Sequence, residues 1–405
     1  IASLRTKVAA DEHAVFLSGN GPLVDVLREA LARDKVLETK EKGARLLKKK
    51  ADSQVKSFIQ NIHHFRDDAL STSEPPIEKV VVFDEAQRAW TKDQASKFMQ
   101  QKRGKTDFNM SEPEFLIEVM DRHKDWCTII CLIGGGQEIN TGEAGLEEWL
   151  RAFENRFDNW DLYFSSRIVE DKNYLKDEVV ARKIIKLNAQ QKEELHLAIS
   201  VRSFRAEKLS DLIQSIIDLD LKKAQIIFNS LKKNYPIFLT RDFDKAKTWL
   251  KSIARGSERY GVLASSGAYR LRPYGLNVKV KIEAPVWFLN PKDDIRSSYF
   301  LEEVATEFDI QGLELDWTCV AWDVDYYFKN KKWNYRKFKG TKWQNINSPI
   351  LKAYLTNAYR VLLTRARQGM VLFVPYGDKE DETRDPDLYN STFGLLKKIG
   401  FEELE

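Results

Sequence analysis

Short runs in which nearly every residue is apolar recur along the chain, most of them followed by a helical pattern. Ala14-Val-Phe-Leu17 precedes Leu23 to Leu31, Val80-Val-Val-Phe83 leads into a charged turn, and Thr128 to Ile133 precedes Leu146 to Phe153. A strand that is apolar on successive residues must be covered on both faces, as in a parallel sheet between helices. A second series starts near Glu194: Leu195 to Ile199, Pro236-Ile-Phe-Leu239, Gly261-Val-Leu-Ala264, Trp317-Thr-Cys-Val-Ala321 and Met370-Val-Leu-Phe-Val374. The expected fold class is α/β, with two parallel sheets flanked by helices.

The 405 residues suffice for two such domains with separate cores. Between Ser165 and Gln190 charge is dense and apolar runs are few. The junction is therefore expected there, with a first lobe over residues 1–170 and a second over 171–405 that carries an insertion around 205–300. Ser111-Glu-Pro-Glu114 supplies a capping serine with a glutamate three residues later, so a helix should begin there.

Lysine and arginine number 65 and aspartate and glutamate 61, a net +4 too mild to identify a nucleic-acid partner without local clusters. The lysine-rich stretch Lys40 to Lys50 reads as a solvated helix face, with nucleic-acid contact as the alternative. Cys127, Cys131 and Cys319 form no Cys-x-x-Cys pair and are too few to staple a chain of this length, which fits a reducing, cytoplasmic location. Cys127 and Cys131 lie in an apolar run and read as strand packing. No stretch of about 18 uncharged apolar residues occurs, so no membrane crossing is expected. His63 and His64 are adjacent rather than one helical turn apart, and read as packing or surface residues.

The strongest chemical signal is Val80-Val-Val-Phe-Asp-Glu-Ala-Gln-Arg88, a buried strand that delivers two carboxylates at its C-terminal end, the edge where open α/β sheets bind ligands. Hydrolysis of a nucleoside triphosphate needs one carboxylate for the magnesium shell and another to orient or deprotonate the attacking water. Asp84 and Glu85 match those two tasks. Phosphoryl transfer also needs cations on the developing charge. Arg202, in Ile199-Ser-Val-Arg-Ser203, and Arg365, in Val361-Leu-Leu-Thr-Arg-Ala-Arg367, are the candidates.

Asp84-Glu-Ala-Gln87, Ile133-Gly-Gly-Gly-Gln-Glu-Ile139, Val201-Arg-Ser203, Gln311-Gly-Leu-Glu-Leu-Asp316 and Leu363-Thr-Arg-Ala-Arg367 resemble superfamily 1 helicase motifs II to VI, in that order. More narrowly, Ser18-Gly-Asn-Gly-Pro22, Asp84-Glu-Ala-Gln-Arg-Ala-Trp90, Ser111-Glu-Pro-Glu-Phe115, Leu263-Ala-Ser-Ser-Gly267 and Gly312-Leu-Glu-Leu-Asp-Trp317 resemble the Schlafen group 3-like DNA/RNA helicase domain, over about Ala14 to Pro375. The resemblance implies two RecA-like lobes of P-loop ATPase architecture, with ATP and Mg²⁺ as cofactors. It implies that Asp84 holds Mg²⁺ through water, Gln137 senses the γ-phosphate, and Gly312 and Glu314 meet the nucleotide. Arg202 and Arg365 would close the site, and Ser18, Gly19 and Asn20 would touch a nucleic-acid backbone. Val201 stands where better-known relatives carry an adenine-stacking tyrosine.

The phosphate-binding loop is not found. Gly104-Lys-Thr106 has no preceding strand and follows the carboxylate strand, so it reads as a chance match. Ile1 to Ala10 reads as the tail of a helix, and an upstream part of the same protein is expected to supply the loop. Tyr326-Tyr-Phe-Lys-Asn-Lys-Lys-Trp-Asn-Tyr-Arg-Lys-Phe-Lys-Gly-Thr-Lys-Trp343 alternates aromatics with cations. Lys331, Lys332, Trp333, Arg336, Lys337 and Trp343 could contact single-stranded DNA or RNA, or the aromatics could pack inward beneath solvated lysines. The functional expectation is an ATP-dependent DNA/RNA helicase or single-strand translocase. The alternative is an ATP-gated nucleic-acid sensor or scaffold coupled to a nuclease or other effector in genome defence.

Overall fold

The computed structural model describes residues 13–104, 107–134, 146–170, 189–197 and 204–405. The chain divides into two compact units, residues 1–199 and 200–405.

In the first unit β1 (His13–Ser18), β2 (Ile59–Asn61), β3 (Glu78–Asp84) and β4 (Thr128–Cys131) form a parallel sheet in the order β2-β1-β3-β4. Two short strands, β5 (Tyr163–Phe164) and β6 (Gln190–Gln191), pair in parallel with each other. Alternate residues of each strand serve opposite faces. Val15, Leu17, Val81 and Phe83 pack on one side with Phe65, Phe115, Met120 and Trp149, while Phe16 packs on the other with Val24, Ala51, Val55 and Phe58. Helices Gly21–Glu41 and Lys48–Lys56 therefore cover one face, and Ile62–Ala69, Glu112–Met120 and Glu147–Asn155 the other. Each fully buried large side chain contributes about 1.5–3 kcal/mol, which is why these runs dictate the sheet.

Ser111 caps its helix as expected, its Oγ accepting from the Glu114 N–H at 3.2 Å. The Glu114 carboxylate pairs instead with Arg156 at 3.4 Å. At the start of the same helix, Glu112 is buried against Arg66, with Nη1 to Oε1 at 3.3 Å, and its second oxygen accepts from the Trp90 N–H at 3.0 Å. The Arg66 guanidinium also lies over the Phe98 ring, 4.9 Å from its centre. His63 packs on this cluster, with its ring tilted against that of Trp90 at 4.5 Å. Cys127 and Cys131 pack against the same core. Lys40, Lys42, Lys48, Lys49 and Lys50 are exposed around the turn between the first two helices.

The strand expected over Leu195 to Ile199 does not start there. Residues Glu193–Leu195 form a 3-10 turn, and Leu195 and Leu197 face solvent, so no core covers these two side chains. Residues 198–199 lie outside the described residues.

The second unit is built on β7 (Ile237–Thr240), β8 (Tyr260–Ala264), β9 (Val304–Ala305), β10 (Leu315–Ala321), β14 (Ala366–Phe373) and β15 (Glu402–Glu403), parallel in the order β15-β7-β14-β10-β8-β9. Val262, Trp317, Cys319 and Val371 pack on one face with Leu250, Leu271, Leu276 and Tyr299. Ile216, Leu363, Leu372, Leu396 and Phe401 meet on the other. Within 205–300, expected as an insertion, β7 and β8 belong to the sheet itself.

Beyond β10 the chain forms an antiparallel three-stranded ribbon, β11 (Tyr326–Lys329), β12 (Lys332–Lys339) and β13 (Lys342–Asn345). Two buried aspartates hold it to the sheet. Asp323 accepts from the Tyr389 hydroxyl at 2.6 Å and the Arg270 N–H at 2.8 Å. Asp325 accepts from the Ser265 and Tyr359 hydroxyls, each at 2.6 Å, and from the Tyr326 N–H at 3.0 Å. Burial, with the neighbouring Asp323 charge, pushes the Asp325 carboxyl up to about 7.

Candidate functional site

At the C-terminal edge of the first sheet, β3 ends on Asp84 and the chain turns at once. Glu85 adopts φ 53° and ψ 46°, a left-handed conformation that a non-glycine residue holds only when its surroundings enforce it. The enforcement is visible on both sides. The Ala86 N–H donates to the Leu132 carbonyl at 2.9 Å, and the Ala86 carbonyl accepts from Trp149 Nε1 at 2.9 Å. Gln87, 3 % exposed, donates through Nε2 to the Glu85 carboxylate, while its Oε1 accepts from the Gly134 N–H at 3.1 Å. Arg88 lies 3.4 Å from the same carboxylate.

The two acids are thus adjacent in sequence but different in environment. Burial, reinforced by the Glu85 charge, pushes the half-buried Asp84 carboxyl up to about 6. A cation beside it would reverse that shift. The donor set is hard carboxylate oxygen, which suits Mg²⁺, an ion that keeps waters and takes few protein ligands. Among the described residues no group of three or more His, Cys, Asp or Glu side chains could enclose a metal. A protein cage is therefore not offered, whereas one or two carboxylates sharing an ion with phosphate and water are.

Ser18 is the register partner of Asp84 across β1 and β3, so the two expected clusters share one edge. Their side chains are committed locally. Asn20 caps helix Gly21–Glu41, its Oδ1 accepting from the Leu23 N–H at 3.3 Å, and the buried Ser18 Oγ accepts from the Asn20 N–H at 3.2 Å. Gly19 alone of the three is exposed. What this loop offers a phosphate is exposed glycine backbone at a helix N-terminus. Gln137 and Arg202 lie outside the described residues.

In the second unit the candidates gather at the opposite edge of the sheet, because Glu314 and Arg365 precede β10 and β14. The Leu315 N–H donates to the Arg365 carbonyl at 3.0 Å, which sets Glu314 beside Arg365. Arg365 is 5 % exposed. Gly312 takes φ 74°, a turn open to glycine without strain, and is exposed. Tyr235 enters the cluster from the segment before β7, its hydroxyl donating to the Ala366 carbonyl at 2.9 Å.

The ribbon separates its expected contacts into two sets. Lys331, Lys332 and Lys337 are exposed. Trp333 is 8 % exposed, stacks 4.4 Å from Tyr326 and donates through Nε1 to the Ile217 carbonyl at 3.0 Å. Trp343 donates to the Thr383 carbonyl at 2.8 Å. Arg336 donates to the Val324 carbonyl at 3.2 Å and lies 4.6 Å from the centre of the Tyr327 ring. The aromatics pack inward, as the alternative pattern required.

A family model described as Schlafen group 3, DNA/RNA helicase domain, matches residues 2–376. The chain belongs to the Schlafen group 3 DNA/RNA helicase domain family. No curated protein matches it. Among solved structures it is similar to the Hef helicase domain of Pyrococcus furiosus, at 11 % identity and a TM-score of 0.27, over 93 % of this chain and 89 % of that one.

Membership in the Schlafen group 3 helicase domain family carries a helicase-like action on nucleic acid. Both edges and the ribbon lie within the matched span. Three further residues shape these sites though no role is expected of them: Gln87 and Trp149, which hold the Glu85 carboxylate and the turn after it, and Tyr235. Gln87 closes the motif Asp84-Glu-Ala-Gln87, but its bridging role depends on Gly134, 47 residues away. Among the described residues no helix of this family member is long and apolar enough to cross a membrane.

Proposed function

We propose that this chain is the core of an ATP-driven DNA/RNA helicase or single-strand translocase, with ATP and Mg²⁺ as cofactors. Asp84 carries Mg²⁺ through a water ligand, and Glu85 orients the attacking water and takes its proton. Gln87 keeps the Glu85 carboxylate aimed. Gln137 senses the γ-phosphate, Glu314 and Gly312 meet the nucleotide, and Arg202 and Arg365 neutralise charge on the transferred phosphoryl group. Gly19, flanked by Ser18 and Asn20, contacts the nucleic-acid backbone.

The observation that carries this reading is the strand edge on which Asp84 and Glu85 stand together. The left-handed turn at Glu85 directs two neighbouring carboxylates into different environments, and Gln87 links one of them to Gly134. A half-buried acid beside one held by Gln87 and Arg88 suits division of labour between metal binding and proton transfer.

The test is nucleic-acid-stimulated ATP hydrolysis by the full-length protein and its Glu85→Gln variant. The amide keeps the shape but cannot take a proton, so turnover should fall by about 10²-fold or more with ATP affinity retained. Equal turnover in the two proteins would refute the role of Glu85. Stimulated turnover without strand displacement would identify a translocase or ATP-gated sensor rather than an unwinding enzyme.

A further inference from the structure

We infer that the ribbon β11-β12-β13 binds the sugar-phosphate backbone of a duplex through its two turns, touching phosphates and no bases. The inference deepens the proposed action on nucleic acid and rests on that reading for the choice of partner. It begins from the register. Lys329 stands directly opposite Lys332, on either side of the turn at Asn330 and Lys331. Lys339 stands directly opposite Lys342, on either side of the turn at Gly340 and Thr341. Like charges opposite one another weaken a hairpin, and this ribbon places such a pair at both of its turns.

Two more lysines enlarge the clusters. Lys331 occupies the first turn itself, at φ 59°, and Lys337 lies two residues before Lys339, hence on the same face. All but the partly covered Lys329 are exposed. Among the described residues none of the six lysines has a carboxylate partner. Six uncompensated cations on so small a ribbon call for a polyanion.

Three observations favour a duplex over a single strand. First, the aromatic faces that would stack on unpaired bases are in use: Tyr326 and Trp333 are buried, Phe338 stacks 5.9 Å from Tyr269, and Trp343 is tied to Thr383. Second, the ribbon is anchored at its middle. The Tyr326 N–H donates to Asp325 Oδ1, and the Arg336 N–H to the Asp325 carbonyl at 2.7 Å. The two turns therefore project rigidly to opposite sides. Third, Lys332 and Lys339 are the two ends of the eight-residue β12, roughly 23 Å apart at strand rise. The odd separation starts the two side chains from opposite faces of β12, so the two clusters meet separate phosphates farther apart than a major groove of about 12 Å is wide. A duplex holds phosphates at fixed spacing, whereas an unpaired strand does not.

The experiment is a fluorescence-anisotropy titration of the full chain, without ATP, against a blunt duplex and against one of its strands alone, over a range of salt. Two triple variants are compared with the parent: Lys329, Lys331 and Lys332 to glutamine, and Lys337, Lys339 and Lys342 to glutamine. Each should weaken duplex binding about tenfold and flatten the log-log salt dependence by about 0.9 for every phosphate no longer neutralised. Single-strand affinity should stay unchanged. Melting temperature should hold or rise, because cross-strand repulsion is removed, and this separates a weakened phosphate grip from a failure to fold. Unchanged duplex affinity, the result expected if the lysines serve an acidic protein instead, would overturn the inference. So would an equal fall on both polymers. Glu85→Gln should bind the duplex like the parent, so a failed ATPase reading appears in turnover alone.

Discussion

Replacing Asp84 by asparagine should make the protein more stable while removing its proposed metal carrier. Burial raises this carboxyl from 3.8 to about 6, so the folded chain holds the proton more tightly than the unfolded chain does. Below about pH 4 both states are protonated and the residue costs nothing; between about pH 4 and 6 the folded state increasingly carries an unwelcome charge. Above that window the penalty is complete. Holding the carboxyl at about 6 instead of 3.8 costs about 3 kcal/mol once it is charged. Asparagine keeps the shape without the charge, so Asp84→Asn should gain up to about 3 kcal/mol at about pH 8 and close to nothing at about pH 4. The assay is urea denaturation in EDTA at several pH values, with hydrogen exchange of the peptide spanning β3 reporting on the first unit. Added Mg²⁺ should stabilise the parent and not the variant. A variant no more stable than the parent at about pH 8, or a gain independent of pH, would show that Asp84 is better solvated or better paired than its burial implies.

Two further perturbations probe the two units separately. Glu112→Ala removes the hydrogen-bonded carboxylate of the buried Arg66, leaving only Asp67 at 3.6 Å, and frees the Trp90 N–H. It should destabilise the first unit by about 3–5 kcal/mol, read as a lower urea midpoint, with part of the loss recovered in Glu112→Ala/Arg66→Met. A loss below about 1 kcal/mol would mean that Arg66 reaches water. In the second unit, Gly261→Ala puts a methyl group 2.7 Å from the buried Trp287 ring and 3.2 Å from Ser298 Cβ. That overpacking should cost about 1–3 kcal/mol, and an unchanged melting temperature would contradict the packing described.

The strands are legible in the sequence wherever burial is two-sided. Val15 and Leu17 serve one face of β1 while Phe16 serves the other, and a run of that kind has few alternatives to a covered strand. Leu195 to Ile199 looks the same on paper, yet Leu195 and Leu197 are exposed, because apolar character alone does not supply the neighbours that bury it. The Asp84–Glu85 pair can be read from its position after a buried strand. Its left-handed turn cannot, since Leu132 and Trp149, which enforce it, are distant in sequence. Ser18 and Asn20 fall where a nucleic-acid contact is expected, but a short polar side chain before a helix is equally a cap, and capping is where both are engaged. The ribbon's alternation announces an amphipathic hairpin. Which face the tryptophans choose depends on Tyr326, Ile217 and Thr383, and no local pattern encodes that.

The backbone bond from Leu315 to Arg365 makes one mechanical part of two loops that lie far apart along the chain. Since the donor follows Glu314 directly and the acceptor is the carbonyl of Arg365, tilting either loop drags the other along. The two residues therefore share one backbone joint, which fixes where both side chains start at that edge of the sheet.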